Sequence, residues 1–440
     1  MEVSKKDLCL KNGKVVLEKE IIKKDILIKN GRIAAIENII NADCEEINCD
    51  DRIILPCLCD LHCHLREPGY EYKETIESGA QAALFSGFST IVMMPNTNPA
   101  IDNAELVKKI KDKISKLNLP IEIIICGAIS KNRESKELSE IEEMVKAGIK
   151  MISDDGSSVK NAGILREAME LAKRNNLIIS SHCEDNDLTN KGVFNEGKIS
   201  QKYKIKGMPA IAEEIIIERD LRLAEFTNCK IHIQHLSTAE GLNIIKRFKE
   251  KNVKVSCEVT PHHLIFSEDD IEENNLSNYK MNPPLRRKED CEKLIEGIKE
   301  GIIDCIATDH APHSEEEKKV NIEKAPFGII GFETALISLY HYLIKNKKIS
   351  WNDLVRVFTN NPRKLLNLES INIAVKNKAN LIVFNPDGQT KFNKEYFKSK
   401  SKNTPLLNKT LDGEIEKIII ENKIINKEKS GEICKNKNVK

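Results

Sequence analysis

Between residues 55 and 345, eight short apolar runs alternate with amphipathic helical stretches. The runs are ILPCLCDLHCH, FSTIVMMPN, IEIIICGAIS, GIKMISDD, LIISSHCED, KIHIQHLS, VKVSCEVTPHH and IDCIATDHAPH. Between them, stretches such as KETIESGAQAALFSG and NAGILREAMELAKRN carry the spacing of helices that bury one face. Strict strand–helix alternation calls for parallel pairing with right-handed crossovers. Eight units over about 290 residues suit a closed barrel better than an open sheet. No Gly-x-Gly-x-x-Gly follows the first run, which argues against a dinucleotide-binding sheet. The expected fold class is α/β, a (β/α)8 TIM-type barrel.

Both ends have a different texture. Residues 1 to about 54 are alternating runs with Asn12-Gly13 and Asn30-Gly31 as hairpin signals, and strand texture returns over 375–425. The expectation is a small β-sandwich domain built from both termini (1–54 and 365–440) around a barrel of 55–364. The polar, Lys-rich stretch EKSGEICKNKNVK is expected to fray.

Lys and Arg total 69 against 68 Asp and Glu, a net charge of +1, so no global field favours nucleic acid or an anionic membrane. No apolar run approaches the roughly 18 residues of a spanning helix. The N-terminal residues have no apolar signal region. Thirteen scattered cysteines then indicate free thiols in a reducing cytoplasm. Cys57, Cys59 and Cys63 lack metal-site spacing and read as small buried hydrophobes.

Nine of the ten histidines lie at or just after the ends of these runs: His62, His64, His182, His232, His235, His262, His263, His310 and His313. In a barrel those ends share one rim, where active sites form. His62 and His64, two apart on a strand, face the same way, with Cys63 towards the wall. Asp60 shares their face, as a structural or supporting group. Of Asp154 and Asp155, one suits a cation bridge and the other a turn and helix cap. His232 and His235, three apart, point to opposite faces, and His235 is the better placed. Asp309 follows the last run directly and can touch a metal and hold a proton. The roles of His262 and His263 stay open. Four histidines and two aspartates suit two zinc ions and metal-assisted hydrolysis at a carbonyl carbon. Arg66, Asn96, Asn282 and Arg286 lie on the same rim and would suit a small anionic amide.

The motifs DLHCHLREPG, MMPNTNP, SDDGSSV, SHCEDN, HLST, VTPHHL, KMNPPLR, ATDHAPH and APFGIIG occur in that order. Together they resemble the bacterial type I dihydroorotase family of the cyclic amidohydrolase superfamily, from about residue 7 to 425. The resemblance implies reversible interconversion of N-carbamoyl-L-aspartate and (S)-dihydroorotate in pyrimidine synthesis. It implies one zinc on His62, His64 and Asp309, another on His182 and His235, and Asp155 between them. Asp309 would also be catalytic, shuttling the proton. His64, Arg66, Asn96, Asn282, His313 and the backbone around Phe327 and Gly328 would meet the substrate. A homodimer is expected, with association with aspartate carbamoyltransferase left open.

Departures from the family pattern are Cys57 and Cys63 near the first ligands, which imply sensitivity to oxidation, and Asn380 and Asn385, on which catalysis should not depend. One alternative is a hydantoinase, dihydropyrimidinase or allantoinase, many of which bridge their metals with a carboxylated lysine. Lys150, five residues before Asp155, sits too early on its strand for that. The other is a non-catalytic scaffold for aspartate carbamoyltransferase, against which all six ligand positions are filled.

Overall fold

The structure, a computed structural model, describes residues 2–3 and 7–426. The stretch expected to fray, 428–440, lies outside the described residues. Eight parallel strands form the barrel sheet: β1 (Leu58–Cys63), β2 (Phe88–Met93), β3 (Glu122–Gly127), β4 (Met151–Ile152), β5 (Ile178–Ser181), β6 (Ile231–Ile233), β7 (Val255–Val259) and β8 (Cys305–Ile306). Each pairs with the next in sequence order. The helices between them begin where the sequence supplies a cap. Thr75, Asn103, Asn161 and Thr238 each accept a first-turn N–H.

Closure falls between β8 and β1. A bridge joins Cys63 to His310, and His64 N donates to His310 O at 2.8 Å. Asp60 accepts from Thr308 N at 2.9 Å and from Thr308 Oγ1 at 2.5 Å, which makes it a structural tie across the seam. Burial raises its pKa to about 7, although those bonds oppose the rise. A register shift between Asp60 and Cys63 re-phases β1. Cys59 and Leu61 join Val92, Cys126 and Met151 in a lower layer of the barrel, closed off by Leu366. Above it stand His62 and His64.

The long first run divides. Ile53–Pro56 pairs with Asn380–Lys391 and Leu8–Val16 in a second sheet, and only Leu58 onward belongs to the barrel. That second sheet has nine strands from both ends of the chain. It curls back on itself: Arg32, at the far end of the strand order, bridges Lys378. Leu8, Ile26, Leu381 and Ile419 share the core so enclosed. Asn30 and Gly31, at φ 49° and 74°, form the expected hairpin turn. Asn12-Gly13 does not turn the chain. It is a bulge within Leu8–Val16, where Asn12 N donates to Asp25 Oδ1 at 2.8 Å and Gly13 packs directly on the Ile54 side chain.

Among the described residues no helix is long and apolar enough to cross a membrane. Twelve described cysteines are unpaired, and eleven of them are buried. Cys57, Cys59 and Cys63 are fully buried, and burial pushes their thiols up. The expected sensitivity to oxidation is therefore not supported, because the thiolate is what reacts. Cys63 does face the wall, its Sγ 3.2 Å from Val92 O.

Candidate metal centre and substrate pocket

His62 stands at the centre of the rim. Its Nδ1 lies 2.7 Å from Glu258 Oε1, which fixes the proton there and turns the Nε2 lone pair inward. Nε2 is buried without a hydrogen-bond partner. It lies 3.1 Å from Asp155 Oδ1 and 3.5 Å from Asp309 Oδ1. His64 repeats the arrangement: Nδ1 meets Asn96 Oδ1 at 2.9 Å, and Nε2 lies 2.8 Å from Asp309 Oδ1 and 3.5 Å from Asp155 Oδ2. Asn96 Nδ2 also donates to Asp155 Oδ2 at 3.3 Å.

Across the mouth, His182 Nδ1 faces His235 Nε2 at 2.8 Å and Asp155 Oδ1 at 3.7 Å. The outer His182 Nε2 meets Glu184 at 3.2 Å, and Glu184 accepts from Asn282 Nδ2 at 2.8 Å. Among the described residues, two groups bring metal-donor atoms within 4.8 Å of one another: His62, His64 and Asp309, and His62, Asp155 and His235.

Electrostatics favour a cation here. Burial alone would depress the His62 pKa, yet the charges of Asp155, Asp309 and Glu258 hold it well above the usual value. Asp155, against its own burial, is held well below the carboxylate range by His62, His182 and His64. Burial and the neighbouring His182 and His62 depress His235. A buried, orphaned imidazole nitrogen facing two carboxylates fits a divalent metal, and the imidazole–carboxylate donor set suits zinc.

Over this cluster opens a pocket of about 320 Å³, at the small end of the range for ligand sites. His64, Arg66, Asn96, Asp155, His182, His235, Asn282, Asp309, His313, Phe327 and Gly328 all border it, and His62 lies beneath. Arg66 does not pair with Glu67, whose partner is Lys113. Arg66 Nε donates to Pro312 O at 3.1 Å, and Nη2 lies 3.2 Å from His313 Nε2. His313 Nε2 also lies 2.8 Å from Phe327 O, and Nδ1 lies 3.4 Å from Lys73 Nζ. A neutral His313 protonated on Nε2 satisfies both partners and leaves Arg66 Nη2 free for an anion. Burial lowers the His313 pKa to about 3. Gly328, at φ 111°, already donates its N–H to Lys280 O, and a Cβ there would meet Ala311 Cβ at 2.5 Å. It offers the pocket a wall without a side chain.

Arg66, His235 and Asp309 share a left-handed backbone, with φ of 60°, 30° and 46°. Such strain in non-glycine residues concentrates at functional sites.

Other expectations resolve into supporting roles. Asp154 accepts from Ile129 N at 2.9 Å and Ser130 N at 3.0 Å, so it is the turn residue and Asp155 faces the site. His232 lies 2.9 Å from Glu258 Oε2 and 2.8 Å from Ser256 Oγ. His263 joins Thr260 Oγ1 at 2.8 Å to Pro283 O at 2.9 Å, bracing the loop of Asn282, while His262 packs beside it. Arg286 is not a pocket residue: it is committed to Asn195, Met208 O, Ser237 and Glu213. Lys150 Nζ donates to Leu366 O at 3.2 Å, at the opposite end of the barrel. Glu258 was missed by sequence reasoning. Its signal was a charged residue inside the apolar run VSCEV, next to inward-facing histidines.

Histidines and aspartates gathered at the mouth of a β/α barrel, under a pocket bordered by a buried guanidinium, define a hydrolase of the cyclic amidohydrolase class. Residues 51–241 match the family model described as Dihydro-orotase-like, and a dihydroorotase of Carboxydothermus hydrogenoformans is 43% identical over 373 residues, covering 84% of this chain and 86% of the relative. The chain belongs to the dihydroorotase family. A dihydroorotase of Bacillus cytotoxicus is 42% identical over 361 residues, covering 82% of this chain and 84% of its own. Among solved structures, L-hydantoinase (dihydropyrimidinase) from Arthrobacter aurescens superposes with a TM-score of 0.84 over 96% of both chains at 23% identity. D-hydantoinase from a Thermus species gives 0.80 over 95% of this chain and 94% of that one, also at 23%. At that identity the likeness is one of fold.

Proposed function

We propose that this chain interconverts N-carbamoyl-L-aspartate and (S)-dihydroorotate, with Arg66 anchoring the substrate carboxylate and Asp309 carrying the proton. The observation that carries the reading is a single 320 Å³ pocket bordered by both Arg66 and the His–Asp cluster. A substrate with a carboxylate at one end and a ring amide at the other spans that pocket. Two zinc ions, held by His62, His64 and Asp309 and by His182 and His235 with Asp155 shared, would supply a water of lowered pKa and a polarised carbonyl.

The remaining work falls to the chain. Arg66 meets the carboxylate, with the Pro312 carbonyl holding the guanidinium through Nε. Asn282 and Asn96 border the ring, and Phe327 and Gly328 close the wall. In hydrolysis Asp309 takes the proton of the attacking water and returns it to the leaving ring nitrogen. In cyclisation the same carboxylate takes the proton from the attacking carbamoyl nitrogen and gives it to the departing carboxyl oxygen, which leaves as water. Glu258 and Asn96 keep His62 and His64 in the tautomer that leaves Nε2 unprotonated. The reading also places the chain in the cytoplasm as a homodimer, with association with aspartate carbamoyltransferase as a further possibility.

A metal count on purified protein, run beside dihydroorotate hydrolysis and a hydantoin and allantoin panel, tests the reading. Turnover of dihydroorotate is expected. Turnover of hydantoin or allantoin alone would overturn it.

A further inference from the structure

Between the second-sheet strands Asn380–Lys391 and Thr410–Ile420, the chain leaves its sheet and runs to the barrel mouth. It is fastened there at several points. Glu74, in the loop after β1, bonds to Ser399 Oγ and accepts from Lys400 N at 3.2 Å. Glu333 accepts from Lys398 N and Ser399 N at 2.7 and 2.9 Å. Ser401 Oγ donates to Lys73 O at 2.8 Å.

The segment delivers one side chain to the loops of the pocket. Asn403 is buried. Its Oδ1 accepts from His313 N at 3.1 Å, and its Nδ2 donates to Ala311 O at 3.0 Å and Gly328 O at 3.1 Å. Its backbone O accepts from Ile330 N at 3.0 Å. One carboxamide thus grips both sides of Pro312, whose carbonyl orients Arg66, and ties that loop to the Phe327–Gly328 wall. Every donor and acceptor of the amide except one lone pair is used.

From this geometry we infer that Asn403 is a positioning residue for substrate binding. It sets the carbonyl that aims Arg66, although it borders neither the pocket nor the metal ligands and comes from a segment that the sequence assigned to the terminal β domain. The inference rests on the proposed role of Arg66 as the carboxylate anchor. A guanidinium that is misaimed loses binding to substrate and transition state alike, which raises KM and spares kcat.

The test compares zinc-loaded full-length wild type with Asn403→Ala and Asn403→Asp; the aspartate keeps the acceptor and loses both donors. Metal content, KM and kcat for dihydroorotate, and amide hydrogen exchange over residues 311–313 are measured on each. The expected result is a KM raised about tenfold or more, kcat within about threefold, unchanged metal content, and faster exchange at 311–313 in Asn403→Ala. If the alanine variant does not fold, the aspartate variant carries the kinetic test. A folded variant with wild-type KM would overturn the inference, as would KM and kcat changing only in step with lost metal. If wild type itself fails to turn over dihydroorotate, the proposed function falls separately, and unchanged exchange at 311–313 would still overturn the clamp.

Discussion

Glu258 Oε1 lies 2.7 Å from His62 Nδ1, and its other oxygen lies 2.9 Å from His232 Nε2. One buried carboxylate on β7 therefore fixes the tautomer of a histidine on β1 and is itself held by a histidine on β6. This relation suits His62 to donate to a metal, since its inward nitrogen keeps a lone pair.

Replacing Glu258 by Gln should weaken metal binding about 10–100-fold, because the partner that raises the basicity of His62 is neutralised. Competition against a chelator measures it. Wild-type affinity in a folded Glu258→Gln protein would refute the role.

Asp309→Asn should retain most bound metal and lose turnover by about 10² or more, because the amide cannot take a proton. Parallel metal analysis and steady-state kinetics separate the two. Asp155→Ala should instead lower the metal content, since its two oxygens face His62 and His64.

Arg66→Ala should raise KM for dihydroorotate with metal content unchanged. An unaltered KM and kcat would remove it from the substrate site.

The loop that carries Phe327 is stapled by two buried lysines. Lys318 Nζ donates to Ser277 O at 2.8 Å and Pro326 O at 2.9 Å, and Lys280 Nζ donates to Ile322 O at 2.7 Å. Burial, then the charges of Lys280 and Arg66, lowers the Lys318 pKa from 10.5 to about 7. Between pH 7 and 10.5 the unfolded chain then binds more protons at this site than the folded one, so stability gained from it rises with pH. Below pH 7 the amine is charged in both states and its burial penalty is felt in full. The denaturation midpoint of wild type relative to Lys318→Met should therefore climb from pH 7 towards pH 10. A constant difference across that range would exclude the effect.

Cys57, Cys59 and Cys63 should resist thiol reagents in the native protein and react only on unfolding. Rapid modification of the folded enzyme would contradict their burial.

The barrel was legible because its signal is repeated: eight apolar runs, each ending in polar residues on a common rim. His62, His64, His182, His235 and Asp309 were legible for the same reason, being the polar ends of those runs. What lay beyond the sequence depended on contacts between distant segments. Asn12-Gly13 became a bulge where Asp25, on the neighbouring strand, takes Asn12 N and the Ile54 side chain packs on Gly13. Arg286 had the type and position of a rim arginine, but Glu213 and Asn195 draw it into the wall. Asn403 acts through other residues, and no local spacing announces a side chain whose partners lie 90 positions away.

The central claim is that the His–Asp cluster and Arg66 together make a metal-dependent dihydroorotase. The most direct measurement is turnover of (S)-dihydroorotate by the purified chain before metal removal, after it, and after zinc is restored. The account predicts hydrolysis that is lost with the metal and returns with about two zinc ions per chain. Activity that survives complete metal removal, or a zinc-loaded chain that leaves dihydroorotate untouched, would contradict it.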